Sequence, residues 1–159
     1  MTDASHEKAF AYCLRILKMR LWSRQEIADK LKARKYSPRV IDGVIRELDS
    51  SGYLDDERCA YAWVHDRMSL NPKAPWVLAV ELKKKGISEA TVDKVLGDIK
   101  NQFNFEEIAL NLAEKKLKTY KKGLDKITIK RRLFDYLRRR GFSSAVIYDT
   151  LNKVLKKAP

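Results

Sequence analysis

The chain has 159 residues, of which 45% are apolar and 35% charged, and its formal net charge is +13. That length makes one domain or a few small repeated units with enough apolar residues for a core, and two cysteines, Cys13 and Cys59, are too few for a disulfide framework or a zinc site. The positive excess points to a polyanionic partner: nucleic acid, an anionic membrane surface or an acidic protein.

In chain order, the opening MTDASHEKAFAYCL lacks the charged-then-apolar layout of a signal peptide. Ala9, Cys13 and Leu17 follow at helical spacing. Ser23 with Glu26 has the pattern of a capping box, and Ile27 and Leu31 form the apolar side of the helix it opens. In LKARKYS, Leu31 to Ser37, that helix ends and another begins, with Ser37 as N-cap and Pro38 in the first helical position. Ile41, Ile45 and Leu48 are its stripe. Lys35 stands where a left-handed residue is expected, so this turn should be more strained or differently shaped.

After the turn Gly52-Tyr53-Leu54 the layout returns. Asp55, Asp56 and Glu57 open a helix carrying Ala60, Val64 and Met68, and a second helix carries Leu78 and Leu82. ELKKKGIS, Glu81 to Ser88, then supplies the turn at Gly86, and Val92, Leu96 and Ile99 follow Ser88. The longest apolar run in the chain, APWVLAV, lies here; it is well short of the ~20 residues that span a bilayer. The third occurrence has Ala109, Ala113 and Leu117, the turn Lys121-Lys122-Gly123, then Leu133 and Leu137. LRRRGFS, Leu137 to Ser143, places Gly141 in the column of Gly86, and Ile147, Leu151 and Val154 complete the match.

With no β signal, this repetition predicts an all-α fold: a tandem array of three three-helix repeats, elongated and curved, at residues 1–52, 53–101 and 102–159. Such an array presents a long surface.

The charge is concentrated at one end. From Asn101 onward fifteen basic residues face six acids, which is +9 of the +13. On a wheel at about 100° per residue with Leu133 at zero, Arg131 and Arg138 fall near 140–160° and Arg132 and Arg139 near 240–260°, away from the apolar arc. Only Asp135 interrupts that face. The same construction turns Lys83 and Lys84 outward. Cations at a helix C-terminus also stabilise the dipole by about 0.3–1 kcal/mol each, which accounts for many basic runs. KRR plus RRR on one helix exceeds that need, and arginine's planar fork binds phosphate or carboxylate with two hydrogen bonds.

No catalytic site stands out. Asp55, Asp56 and Glu57 suit a helix N-terminus better than a metal, His6 and His65 lack ligand sets, and no phosphate loop, nucleophile elbow or triad is present. No metal or cofactor is expected. Cys13 and Cys59 read as reduced core residues of a cytoplasmic protein, and Trp63 as core. Trp22 and Trp76, near helix starts, are open to core packing or to a partner, with base stacking the lesser option.

GYLDDERCAYAWVHDR (Gly52 to Arg67), followed by ELKKKGIS and by LRRRGFS in a third unit, resembles the RecX family of bacterial regulators of the RecA recombinase. The resemblance runs over nearly the whole chain. It implies a non-enzymatic protein of tandem three-helix repeats that binds in the groove of the RecA filament on single-stranded DNA. ATP hydrolysis, strand exchange and coprotease activity of RecA would fall, linking the protein to DNA repair, recombination and the SOS response. On this reading the contact residues are Lys130, Arg131, Arg132, Arg138, Arg139 and Arg140, supported by Lys83 and Lys84. The expected partners are the RecA filament and single-stranded DNA, with double-stranded DNA a further candidate, for a monomer that does not enter membranes.

The chain departs from the family in PWVLAVEL, Pro75 to Leu82, where members usually carry several cations. Its apolar residues are left to packing between units or to a partner. Two rival readings remain: a sequence-independent nucleic-acid-binding protein acting without a RecA contact, and, weakest, a metal-dependent hydrolase using Asp55 and Asp56.

Overall fold

The computed structural model describes residues 4–157. The outer ends of the first and third expected repeats, 1–3 and 158–159, lie outside the described residues. Among those described there are nine helices and no strand: α1 (Ala4–Leu17), α2 (Arg24–Ala33), α3 (Pro38–Ser50), α4 (Asp56–Leu70), α5 (Pro75–Lys84), α6 (Glu89–Gln102), α7 (Phe105–Lys118), α8 (Lys126–Arg139) and α9 (Ser144–Lys157). None is long and apolar enough to cross a membrane. The all-α tandem repeat read from the columns is therefore the architecture.

Local chemistry sets the helix starts as the sequence suggests. Ser23 Oγ accepts from Glu26 N–H while Glu26 Oε2 accepts from Ser23 N–H, completing the capping box of α2. Ser37, Ser88 and Ser143 accept from the backbone N–H three residues on, at Val40, Thr91 and Val146. Two caps escaped the sequence reading: Asn104 opens α7 and Asp125 opens α8.

The turns after α2, α5 and α8 share one hydrogen-bond pattern. Tyr36, Ile87 and Phe142 N–H reach Leu31, Leu82 and Leu137 carbonyls at 3.2 Å in each case, and the preceding residue bonds three back at 2.9 Å. This six-to-one, five-to-two pair is the Schellman closure, whose penultimate residue sits in the left-handed region. Gly86 and Gly141 supply it with φ of 74° and 87°, and Lys35 is forced to 63°. The first turn is thus strained rather than differently shaped.

Two units form around separate cores: residues up to 66 with 80–95, and residues 67–79 with 96 onward. The division runs through α4, α5 and α6, so a packing unit is not one sequence repeat. In the first unit α1 and α2 pack on α3, burying Ala9, Cys13, Ile27, Leu31, Val44 and Leu48. In the second, α7, α8 and α9 pack on one another around Ala109, Ala113, Leu133, Leu137, Ile147 and Leu151. Of the aligned apolar columns, Leu17, Tyr36, Ile45 and Leu117 are half-buried and the rest are buried. Fully burying one such leucine contributes about 1.5–3 kcal/mol before entropy is charged against it.

Candidate polyanion-binding surface

Helix α8 presents the candidate surface. Asp125 anchors its start, its side chain accepting from the Thr128 N–H at 2.9 Å and from the Thr128 hydroxyl at 2.6 Å. Those bonds hold the Asp125 carboxyl below its ordinary pKa. Leu133 and Leu137 are fully buried, which fixes the rotation of the helix and turns Lys130, Arg131, Arg132, Arg138 and Arg139 to solvent. Among the described residues none of these five forms a salt bridge; Arg132 lies 6.0 Å from the centre of the Tyr120 ring.

Lys130 lines a groove with Lys126, Ile127, Asn152, Leu155 and Lys156. Arg138 lines another with Trp76, Lys100, Phe105 and Phe142. Lys126, Lys130 and Arg138 of α8 thus border two concave surfaces of the second unit. Ile127, 82% exposed, has no place in the core.

Arg140 is placed otherwise. Half-buried, it donates to Asn71 Oδ1 and, at 2.9 Å, to the Pro72 carbonyl, with its guanidinium 4.7 Å from the centre of the Tyr136 ring. It ties the α4–α5 connection to the end of α8.

Lys83 and Lys84 lie in the first unit and are exposed. Lys83 Nζ pairs with Glu89 at 2.9 Å, and that hydrogen bond raises its pKa. The third lysine of the cluster, Lys85, was passed over by the sequence reading. Its Nζ bonds Glu26 Oε1 at 2.6 Å and sits 4.0 Å from the centre of the Trp63 ring. Trp63 is consequently half-buried and polar-bonded, Nε1 donating to Glu81 Oε2 at 3.1 Å, rather than the core residue expected.

The acidic trio has structural partners. Asp55 Oδ1 accepts from Arg58 N–H, Asp56 Oδ1 from Arg24 N–H, and Glu57 pairs with Lys94 at 2.6 Å. Among the described residues no group of three His, Cys, Asp or Glu side chains is placed to hold a metal. Cys13 and Cys59 are buried free thiols, and burial raises both pKa values, that of Cys13 to about 11.

Three family models match consecutive stretches: the first, second and third three-helix domains of RecX at residues 9–48, 55–96 and 105–151. The chain is 35% identical over 156 residues to the regulatory protein RecX of Chlorobium phaeobacteroides strain BS1, covering 98% of this chain and 99% of that one. Its identity to the regulatory protein RecX of Bacillus subtilis strain 168 is 36%, over 93% of this chain and 55% of that one. The crystal structure of RecX from Lactobacillus salivarius is similar in fold, with a TM-score of 0.77 at 24% identity, over 96% of this chain and 97% of that one.

Proposed function

The chain belongs to the RecX family of regulatory proteins, and from that premise we propose that it binds RecA filaments on single-stranded DNA and lowers their ATP hydrolysis, strand exchange and coprotease activities. The observation that carries this reading is the row of solvent-facing cations on α8, held outward by buried Leu133 and Leu137 and, among the described residues, unpaired with carboxylates. Unpaired guanidinium groups bind phosphate or carboxylate without first breaking an internal ion pair. A filament groove offers both, as DNA backbone and acidic protein surface.

The protein acts on this reading as a cytoplasmic monomer without chemistry of its own. Lys130, Arg131, Arg132, Arg138 and Arg139 make the contacts, and Lys84 adds to them. Lys83 joins at the expense of its bond to Glu89, and Arg140 orients the end of α8. Double-stranded DNA competes through the same charge-driven attraction.

The test is ATP hydrolysis by the cognate RecA on single-stranded DNA while this protein is titrated at fixed, moderate salt. Inhibition well below one copy per RecA monomer is expected. A fall in hydrolysis only at amounts sufficient to coat the DNA would replace this reading with that of a sequence-independent nucleic-acid binder.

A further inference from the structure

The tryptophan at the start of α5 is larger than its structural position requires. Trp76 stands six residues before Leu82, as Gln25 stands six before Leu31 and Arg131 six before Leu137. All three are exposed. An added Cβ at Gly86 would meet Gln25, and at Gly141 it would meet Val77 first and only then the edge of the Trp76 ring. The side chain closest to Gly141 is thus Val77, so this contact does not call for an indole.

Trp76 is nonetheless held in place. Its Nε1 donates to the Gly141 carbonyl, yet the residue remains 61% exposed. It lines a groove of about 560 Å³ together with Phe105, Phe142, Lys100, Arg138 and Ser143. Aromatic surface and two cations therefore share one concavity, and among the described residues no acid lines it.

We propose that this groove is a base-stacking subsite for single-stranded nucleic acid, with Trp76 as the platform and Arg138 and Lys100 on the flanking phosphates. An anchored indole loses little freedom on binding, and every base offers a π face, so such a platform is strong without being sequence-selective. A strand also delivers one anion per nucleotide, which places charge beside each stacked base. An acidic peptide carries its charges irregularly. The subsite deepens the nucleic-acid part of the proposed function and is independent of the contact with RecA.

The experiment compares binding of a twenty-nucleotide dT strand and an abasic strand of equal length, by fluorescence anisotropy, without RecA. The wild-type protein should prefer dT by roughly tenfold. Trp76→Gln should lose that preference while still binding the abasic strand, and Trp76→Tyr should restore most of it. Tryptophan emission of the wild-type protein should be quenched by dT and not by the abasic strand, a readout that stands even if Trp76→Gln proves unfolded by circular dichroism. An undiminished preference in folded Trp76→Gln, equal affinity of the wild type for both strands, or emission that responds to RecA but not to dT would overturn the subsite. Each of those results leaves the RecA ATPase test to be decided on its own.

Discussion

Ser23 Oγ donates to the Lys85 carbonyl at 2.5 Å across 62 residues of sequence. The aligned contact recurs in the second unit, where the Ala74 N–H donates to the Arg140 carbonyl at 2.9 Å. In both places the start of one repeat's middle helix caps the last peptides of the next repeat's middle helix, satisfying a carbonyl that would otherwise end unpaired. The cation three residues after the aligned leucine of each repeat is drawn into the same junction or onto an aromatic ring. Arg34, Lys85 and Arg140 lie over Tyr12, Trp63 and Tyr136 at 3.9, 4.0 and 4.7 Å.

Neighbouring arginines should therefore separate by effect. Arg140→Ala removes the bonds to Asn71 and Pro72 and should lower unfolding free energy by about 1–3 kcal/mol. Arg139→Ala, exposed and unpaired among the described residues, should stay within about 0.5 kcal/mol of wild type while weakening the proposed binding. Urea denaturation of the two variants checks the first contrast and RecA ATPase titration the second.

Three of the left-handed turn residues, Lys35, Gly52 and Gly86, make a graded series. Gly86→Ala should cost more than Gly52→Ala, because both have positive φ but only at Gly86 does an added Cβ collide, with Gln25. About 1 kcal/mol is expected at Gly52 and more at Gly86. Lys35→Gly should raise stability by up to about 1 kcal/mol by relieving φ 63°. A Lys35→Gly midpoint below that of wild type in thermal melts would contradict the strain argument.

The fold was legible because each repeat restates one register: Leu31, Leu82 and Leu137 are all fully buried. Helical period, N-capping serines and turn glycines are local signals, and three copies reinforce one another. Lys85 was passed over and Trp63 misjudged because their partners, Glu26 and Glu81, come from helix faces that no periodicity brings together. A wheel places a residue at the surface of its own helix. It cannot tell whether another helix stands there, which is also why Arg140 resembled Arg139 in sequence and differs from it in the folded chain.

Glu26 should link the first unit's stability to pH. Burial raises its pKa, but hydrogen bonds from Lys85, Arg20 and the Ser23 N–H outweigh burial and hold it below 4.5. A carboxyl depressed in the folded state contributes stability that is full above its unfolded pKa and is lost as pH falls through the folded one. The gap between wild type and Glu26→Gln should thus be constant from pH 7 to about 5 and close below 4.5. Urea midpoints measured down to pH 3 give the test; a gap that widens on acidification would mean the carboxylate is not the stabilising form.

The two thiols offer a probe of global opening. Cys13 and Cys59 are buried, and burial raises both pKa values, so thiolate at pH 8 is scarce and shielded. Neither should react with a disulfide reagent until the chain unfolds, and both should then react together in denaturant. Fast labelling of the native protein would show that the cores open locally.

Charge reversal on α8 should separate function from fold. Arg131, Arg132, Arg138 and Arg139 are exposed and make no salt bridge among the described residues, so converting all four to glutamate leaves Leu133 and Leu137 in place. Far-UV circular dichroism should be unchanged. Binding to single-stranded DNA should weaken and its logarithmic salt slope should fall by about three, since each lost phosphate contact removes about 0.7. Inhibition of RecA ATP hydrolysis should disappear with it. If inhibition survives in a folded quadruple variant, the contact surface lies elsewhere on the chain, and the outward turn of this helix reflects only what its two buried leucines demand.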